Sequence, residues 1–124
     1  MLNFKQINLF TTLIALTLFL VLLFVPEFIY FIFQIDSSET ANFMSRRASF
    51  LFLGIAALLF FSKNILEIEF QKPIILCLAV SMLGLATLGL FEFLRGFTGI
   101  GIFAAIAAEL FIAINYLLLL KKTP

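Results

Sequence analysis

The sequence predicts an all-α fold: an antiparallel bundle of four transmembrane helices, roughly residues 6–26, 41–62, 73–92 and 98–120. They form one integral membrane domain covering 1–124. Three observations predict it. First, 12% of the residues are charged and 64% are hydrophobic, against about 25% and 45–50% in soluble domains. So few polar groups cannot build a water-facing shell. Second, the stretches 6–26, 48–62, 73–91 and 96–120 carry a single charge among them, Glu109. Third, these stretches approach the roughly 20 apolar residues that a membrane-spanning helix needs. The mean hydropathy of +1.21 agrees.

The first stretch follows Lys5 and resembles the apolar core of a secretory signal. It is too long for one, and it ends in Phe24-Val25-Pro26-Glu27, bulky residues where a cleavage site wants small ones. It reads as a retained helix that Pro26 ends or kinks. The aromatic run from Phe28 to Phe33 then reads as an interfacial belt or a kinked extension.

The second stretch is short, so its helix must begin upstream. Asp36 followed by Glu39 matches a capping box with Asp in place of Ser or Thr. A helix starting there carries Arg46 and Arg47 well inside itself. The pair resembles a twin-arginine export signal, but such a signal precedes the first apolar segment. Here a complete helix comes before it, and the address reading fails. The link 63–72, KNILEIEFQK, is short and mixed in charge. It predicts that the helices on either side are antiparallel neighbours.

Four spans put both termini on one side of the membrane. Lys5, Lys63, Lys72, Lys121 and Lys122 fall on that side, and Arg46, Arg47 and Arg95 on the other. The positive-inside rule therefore expects cytoplasmic N and C termini. Glu27, Asp36, Glu39 and Glu92 then lie outside with the arginines.

Depth follows from helical rise. Arg47 stands 16 residues from Lys63, roughly 24 Å at 1.5 Å per residue, about a turn below the far surface of a 30 Å core. Glu109 stands 12 residues from Lys121, roughly 18 Å in, near mid-membrane. Gly101, Ala105, Glu109 and Ala113 recur every four residues, with Tyr116 three further on. Small residues along one stripe let another helix approach, so Glu109 is expected to face the bundle. Arg46 or Arg47 is then within reach of it. Glu92 and Arg95, spaced i, i+3, form a second expected pair. The candidate ligand-binding or ion-pair residues are Arg46, Arg47, Glu92, Arg95, Glu109 and Tyr116, converging in the outer half of the bundle. For Asn115, Thr11, Thr12 and Thr17, interhelical hydrogen bonding is the default reading.

The absences narrow the chemistry. There is no histidine, so bis-histidine haem, most zinc sites and histidine acid–base catalysis drop out. The lone Cys77 sits in an apolar run and reads as a small buried residue. No Walker A, GxGxxG or GxSxG motif occurs. A net charge of +1 makes no case for nucleic acid. No cofactor, no metal site and no enzymatic activity are expected. The cluster reads either as a buried ion pair that fixes helix register or as a binding site. Arginines outnumber acids there, which suits an anionic lipid head group or a small anion. A proton-coupled transporter using Glu109 is the alternative, though an arginine partner would oppose proton carriage. The expected partners are membrane lipid and either a second copy of the chain or a larger membrane protein.

Arg47 before Leu51-Phe52-Leu53-Gly54, then Glu92, Arg95-Gly96 and a mid-helix Glu109 carry a resemblance. The chain resembles a group of short bacterial four-helix membrane proteins of unknown function, and more distantly the DoxX-like four-helix membrane proteins. The resemblance implies a bacterial inner-membrane protein and brings no activity with it.

Overall fold

The computed structural model describes residues 2–122. Its elements are α1 (Phe4–Phe24), α2 (Pro26–Phe33), α3 (Glu39–Ser62), α4 (Ile68–Leu94) and α5 (Ile102–Lys121). The four long helices are each long and apolar enough to cross a membrane, and they pack as the expected all-α bundle.

Local chemistry sets the boundaries. Asn3 caps α1 by accepting from the Gln6 backbone, and the Gln6 side chain accepts from the Asn3 N–H in return. This capping box starts the helix earlier than residue 6. Pro26 opens α2 at its first position and breaks the chain away from α1 at Val25. The short α2 is thus a separate element. Ser38, not Asp36, caps α3, its side chain accepting from the Ala41 N–H at 3.0 Å. The Asp36 capping box is corrected accordingly. Serine satisfies the orphan donor two residues nearer the helix.

Pro73 does not begin its helix. It lies inside α4, which starts at Ile68. Residues 68–72, expected in the link, are helical, since helix is open to Glu69, Gln71 and Lys72 where it projects beyond the apolar core.

Helix order around the bundle differs from chain order. α3 packs along α1 and α5 along α4, whereas α3 and α4, joined by the 63–67 link, do not pack along each other. The expectation that they are neighbours is corrected. The reason lies in their faces. α3 turns Ser49, Ala56, Leu59 and Ser62 inward, a narrow stripe on which α1 lies close. α4 turns Ala79, Met82, Ala86 and Gly89 inward, and Gly89 seats beneath Ile102 and Ile106 of α5.

Both hairpins are antiparallel. Asn8 of α1 reaches the last turn of α3, and Phe19 meets Phe50 edge-on at 5.5 Å. In the second hairpin, Phe93 meets Phe103 at 4.7 Å. The hairpins join through α1 and α5, with Phe10 against Phe111.

The main core sits towards the end that holds both termini. It comprises Phe4, Ile7, Leu59, Ile75, Leu78, Met82, Ile112, Ala113 and Tyr116. A smaller core of Ala86, Ile102 and Ile106 lies towards the other end, covered by Phe33 and Phe93. Between the two cores the hairpins part.

Candidate functional site

The parted hairpins enclose a cavity of about 360 Å³ at the mid-level of the bundle. All four long helices line it: Thr11, Ala15, Thr17 and Leu18 from α1, Phe52 and Ile55 from α3, Met82 and Leu85 from α4, Ala105, Ala108, Glu109 and Ile112 from α5, among others. Its floor is buried, with Ile112 at 2% and Thr11 at 3% relative exposure. Its rim is open, Leu13 at 66% and Leu85 at 39%. The rim residues sit on the flanks of the helices, so the mouth faces sideways.

Glu109 is the one charged residue in this lining. The inward stripe places it there: Ala113 and Tyr116 are fully buried, and Gly101, Ala105 and Glu109 partly so. Two of the other polar groups differ in availability. Thr17 Oγ1 donates to the Leu13 carbonyl in its own helix. Thr11 Oγ1 is buried and makes no hydrogen bond of ordinary geometry, although it stands beside the Tyr116 hydroxyl. The cavity therefore offers a carboxyl and a hydroxyl set in apolar walls.

The expected meeting of Arg46 or Arg47 with Glu109 does not form. Both arginines are exposed on α3, and among the described residues the ion pair present is Arg95–Glu92. Register explains it. The inward stripe of α3 runs through Ser49, Ala56 and Leu59, and the arginines project off that line. Arg47 lies over the Phe43 ring, 5.9 Å from its centroid. Arg46 borders a polar recess with Glu39, Asn42 and Phe43.

The pair expected between Glu92 and Arg95 is present. Arg95 Nε donates to Glu92 Oε2 at 2.9 Å, and Nη2 bonds the same oxygen. Its guanidinium also covers Phe97 at 5.2 Å. This pair stands at the end of α4, away from the cavity lining.

The principal buried polar network lies at the opposite end from the arginines, and it holds Tyr116, which was expected in the outer half of the bundle: only five residues before Lys121, Tyr116 lies towards the termini instead. Tyr116 donates to Asn8 Oδ1 at 2.8 Å. Asn8 Nδ2 donates to the Leu59 carbonyl at 3.2 Å and to Ser62 Oγ at 3.4 Å. Both Asn8 and Tyr116 have no exposed surface. One amide thus ties α1, α3 and α5. Asn115 adds a second tie, accepting from the Leu2 N–H at 3.3 Å. Asn8 and Ser62 are the residues that sequence reasoning missed. The signal was an asparagine inside an apolar span, a group that must find partners in lipid. The threonines depart from interhelical bonding: Thr12 and Thr17 donate to carbonyls four residues back in α1. Cys77, expected to be buried, is exposed on α4.

The chain matches no protein-family model, no curated protein and no solved structure.

Proposed function

We propose that this chain is a membrane-embedded binding protein that draws an apolar molecule bearing one positive charge from the bilayer into the cavity between its hairpins. The observation that carries the reading is Glu109 in the lining of a sideways-opening apolar cavity, with no arginine paired to it. A volume near 360 Å³ falls in the range of small-molecule sites, about 300–1,000 Å³. Apolar walls with one anionic group select amphiphilic cations over neutral lipids, because the unpaired carboxyl gains a partner only from the former. Without an arginine to compete, the same carboxyl could give up a proton as the cation arrives, which is the transport form of this reading.

The test is titration of tetraphenylphosphonium into the purified protein by calorimetry. Binding is expected, weakened about tenfold or more in Glu109→Gln, which is about 1.4 kcal/mol of lost attraction. Equal affinity in the two proteins sinks the proposal. Proton release on binding, followed in lightly buffered solution, separates transport-type exchange from simple binding.

A second reading concerns anionic lipid. Arg46 and Arg47 are exposed on a membrane helix, and among the described residues no carboxylate pairs with either. Two exposed guanidiniums at that level suit a lipid phosphate. Native mass spectrometry from phosphatidylglycerol nanodiscs is expected to retain lipid on the native chain and less on Arg46→Gln/Arg47→Gln; equal retention removes this reading. Placement in a bacterial inner membrane with cytoplasmic termini belongs to the same proposal. It is supported by the resemblance and by the lysines at the terminus-bearing end.

A further inference from the structure

The short helix α2 is held differently from everything else in the bundle. Pro26 detaches it from α1, and Gln34, in the left-handed region at φ 56°, turns the chain after it. Between these breaks it crosses from the first hairpin to the second. Tyr30 shares a hydrogen bond of 2.7 Å with Ser45 of α3. On the far side the Phe33 carbonyl accepts from the Gly99 N–H at 2.8 Å. Phe33 also covers the small core of Ala86, Ile102 and Ile106. That core lies along α4 and α5 next to Leu85 and Ala105 of the cavity lining, on the arginine-bearing side.

The contact with the second hairpin is close backbone against backbone. A Cβ on Gly101 would stand 1.7 Å from the Ile32 carbonyl oxygen. On Gly99 it would stand 1.4 Å from Gln34 Oε1 and 2.8 Å from Gln34 Cβ. Glycine at these two positions is what lets α2 seat. Its outward face remains uncovered, with Phe31 at 80% exposure.

We infer that α2 is a releasable strap: seated on Gly99 and Gly101, it closes the arginine-bearing end of the inter-hairpin cavity to water, and lifted, it opens that end. One backbone hydrogen bond and van der Waals contact hold it to the second hairpin. The opposite end is closed by a buried network of side chains. The strap makes the arginine-bearing end the one that opens. The inference concerns water access and does not depend on which molecule the cavity holds.

The test places a cysteine at Leu18, a lining residue on the arginine-bearing side, in a Cys77→Ser background in liposomes. A charged, membrane-impermeant methanethiosulfonate is added from that side. Leu18→Cys is expected to react slowly with the strap seated. Adding Gly101→Ala sets a Cβ on a backbone carbonyl and is expected to raise the labelling rate about tenfold or more, in proportion to the lifted fraction. Gly99→Ala meets Gln34, whose amide end can turn away but whose Cβ, 2.8 Å off, cannot, so a smaller rise is expected. Gln34→Gly/Gly99→Ala removes that side chain at a position where φ suits glycine, and the rate is expected to fall back. Fast labelling with the strap intact overturns the inference, and so does a folded Gly101→Ala or Gly99→Ala that labels no faster. Should Gly101→Ala fail to fold, the Gly99 series decides alone.

Discussion

The two ends of the bundle solve the same problem, holding two hairpins together in lipid, by opposite means. At the terminus-bearing end a buried amide, Asn8, takes hydrogen bonds from or gives them to α3 and α5, and every contact lies out of reach of solvent. At the arginine-bearing end the ionic groups are exposed, and the hairpins meet through one backbone hydrogen bond and glycine-permitted contact. Charge is as plentiful at the terminus-bearing end, where five lysines stand with Glu67 and Glu69, yet what fastens the hairpins there is a neutral buried group. In a medium without water, a neutral group with all its partners is a better fastener than an ion, because it carries a far smaller desolvation cost.

The largest expected effect breaks the first end. Asn8→Ala removes the acceptor of Tyr116 and both donations to α3. Interhelical hydrogen bonds in membranes average about 0.6 kcal/mol and reach about 1.7, so the loss of three is expected to cost about 2 kcal/mol in stability. Denaturant unfolding followed by circular dichroism in detergent measures it; a cost below about 0.5 kcal/mol would mean the network is decoration. Tyr116→Phe is the next step down, about 1 kcal/mol, since it deletes one bond and leaves Asn8 Oδ1 unpaired. The double variant should cost less than the sum of the two, because the shared bond can be lost once.

A third comparison sharpens the distinction between fastener and site. Had Glu109 been the partner of Arg47, removing one would strand the other, at about 3–5 kcal/mol. With the arginines directed off the bundle, Glu109→Gln is expected to leave folded yield intact or raise it, since an amide is easier to bury than a carboxylate. Glu109→Gln and Arg47→Leu should then add within about 0.5 kcal/mol, as groups without shared partners do. A coupling well beyond that would restore the ion pair.

These expectations track what the sequence could and could not convey. Hydropathy placed four spans within a few residues, because exclusion of charge from lipid is the strongest constraint acting on this chain. The stripe of Gly101, Ala105, Glu109 and Ala113 correctly turned inward. Helix partners were not legible. Chain adjacency suggested that α3 and α4 pair, whereas the close-packing faces of α3 and α4 point to α1 and α5. Nor was the direction of Arg46 and Arg47, which follows from a register fixed by Ser49 and Ala56 rather than by depth. The cavity is a property of four helices at once and has no linear signature. Asn8 is legible in hindsight only as a neutral amide within an apolar span, a weaker signal than charge.

The smallest expected effect is at Glu92 and Arg95. An exposed ion pair contributes about 0–1 kcal/mol. The Arg95 side chain is 54% exposed and Glu92 24%, so water or head groups can replace either partner. The pair also sits in the last turn of α4 and at its C-cap, where the helix dipole favours a cation and disfavours an anion. Glu92→Gln therefore loses the pair but relieves an unfavourable dipole contact, and the two changes nearly cancel. Arg95→Gln loses the pair and a favourable dipole contact together, about 0.5 kcal/mol, and loses the cover over Phe97 besides. The order is thus fixed: Arg95→Gln below native stability, Glu92→Gln indistinguishable from it, and both differences shrinking as salt is raised. Tyr116→Phe, whose bond lies out of reach of solvent, should show no such salt dependence. A reversal, with salt acting on the buried network and sparing the exposed pair, would mean that the two ends have been assigned the wrong way round.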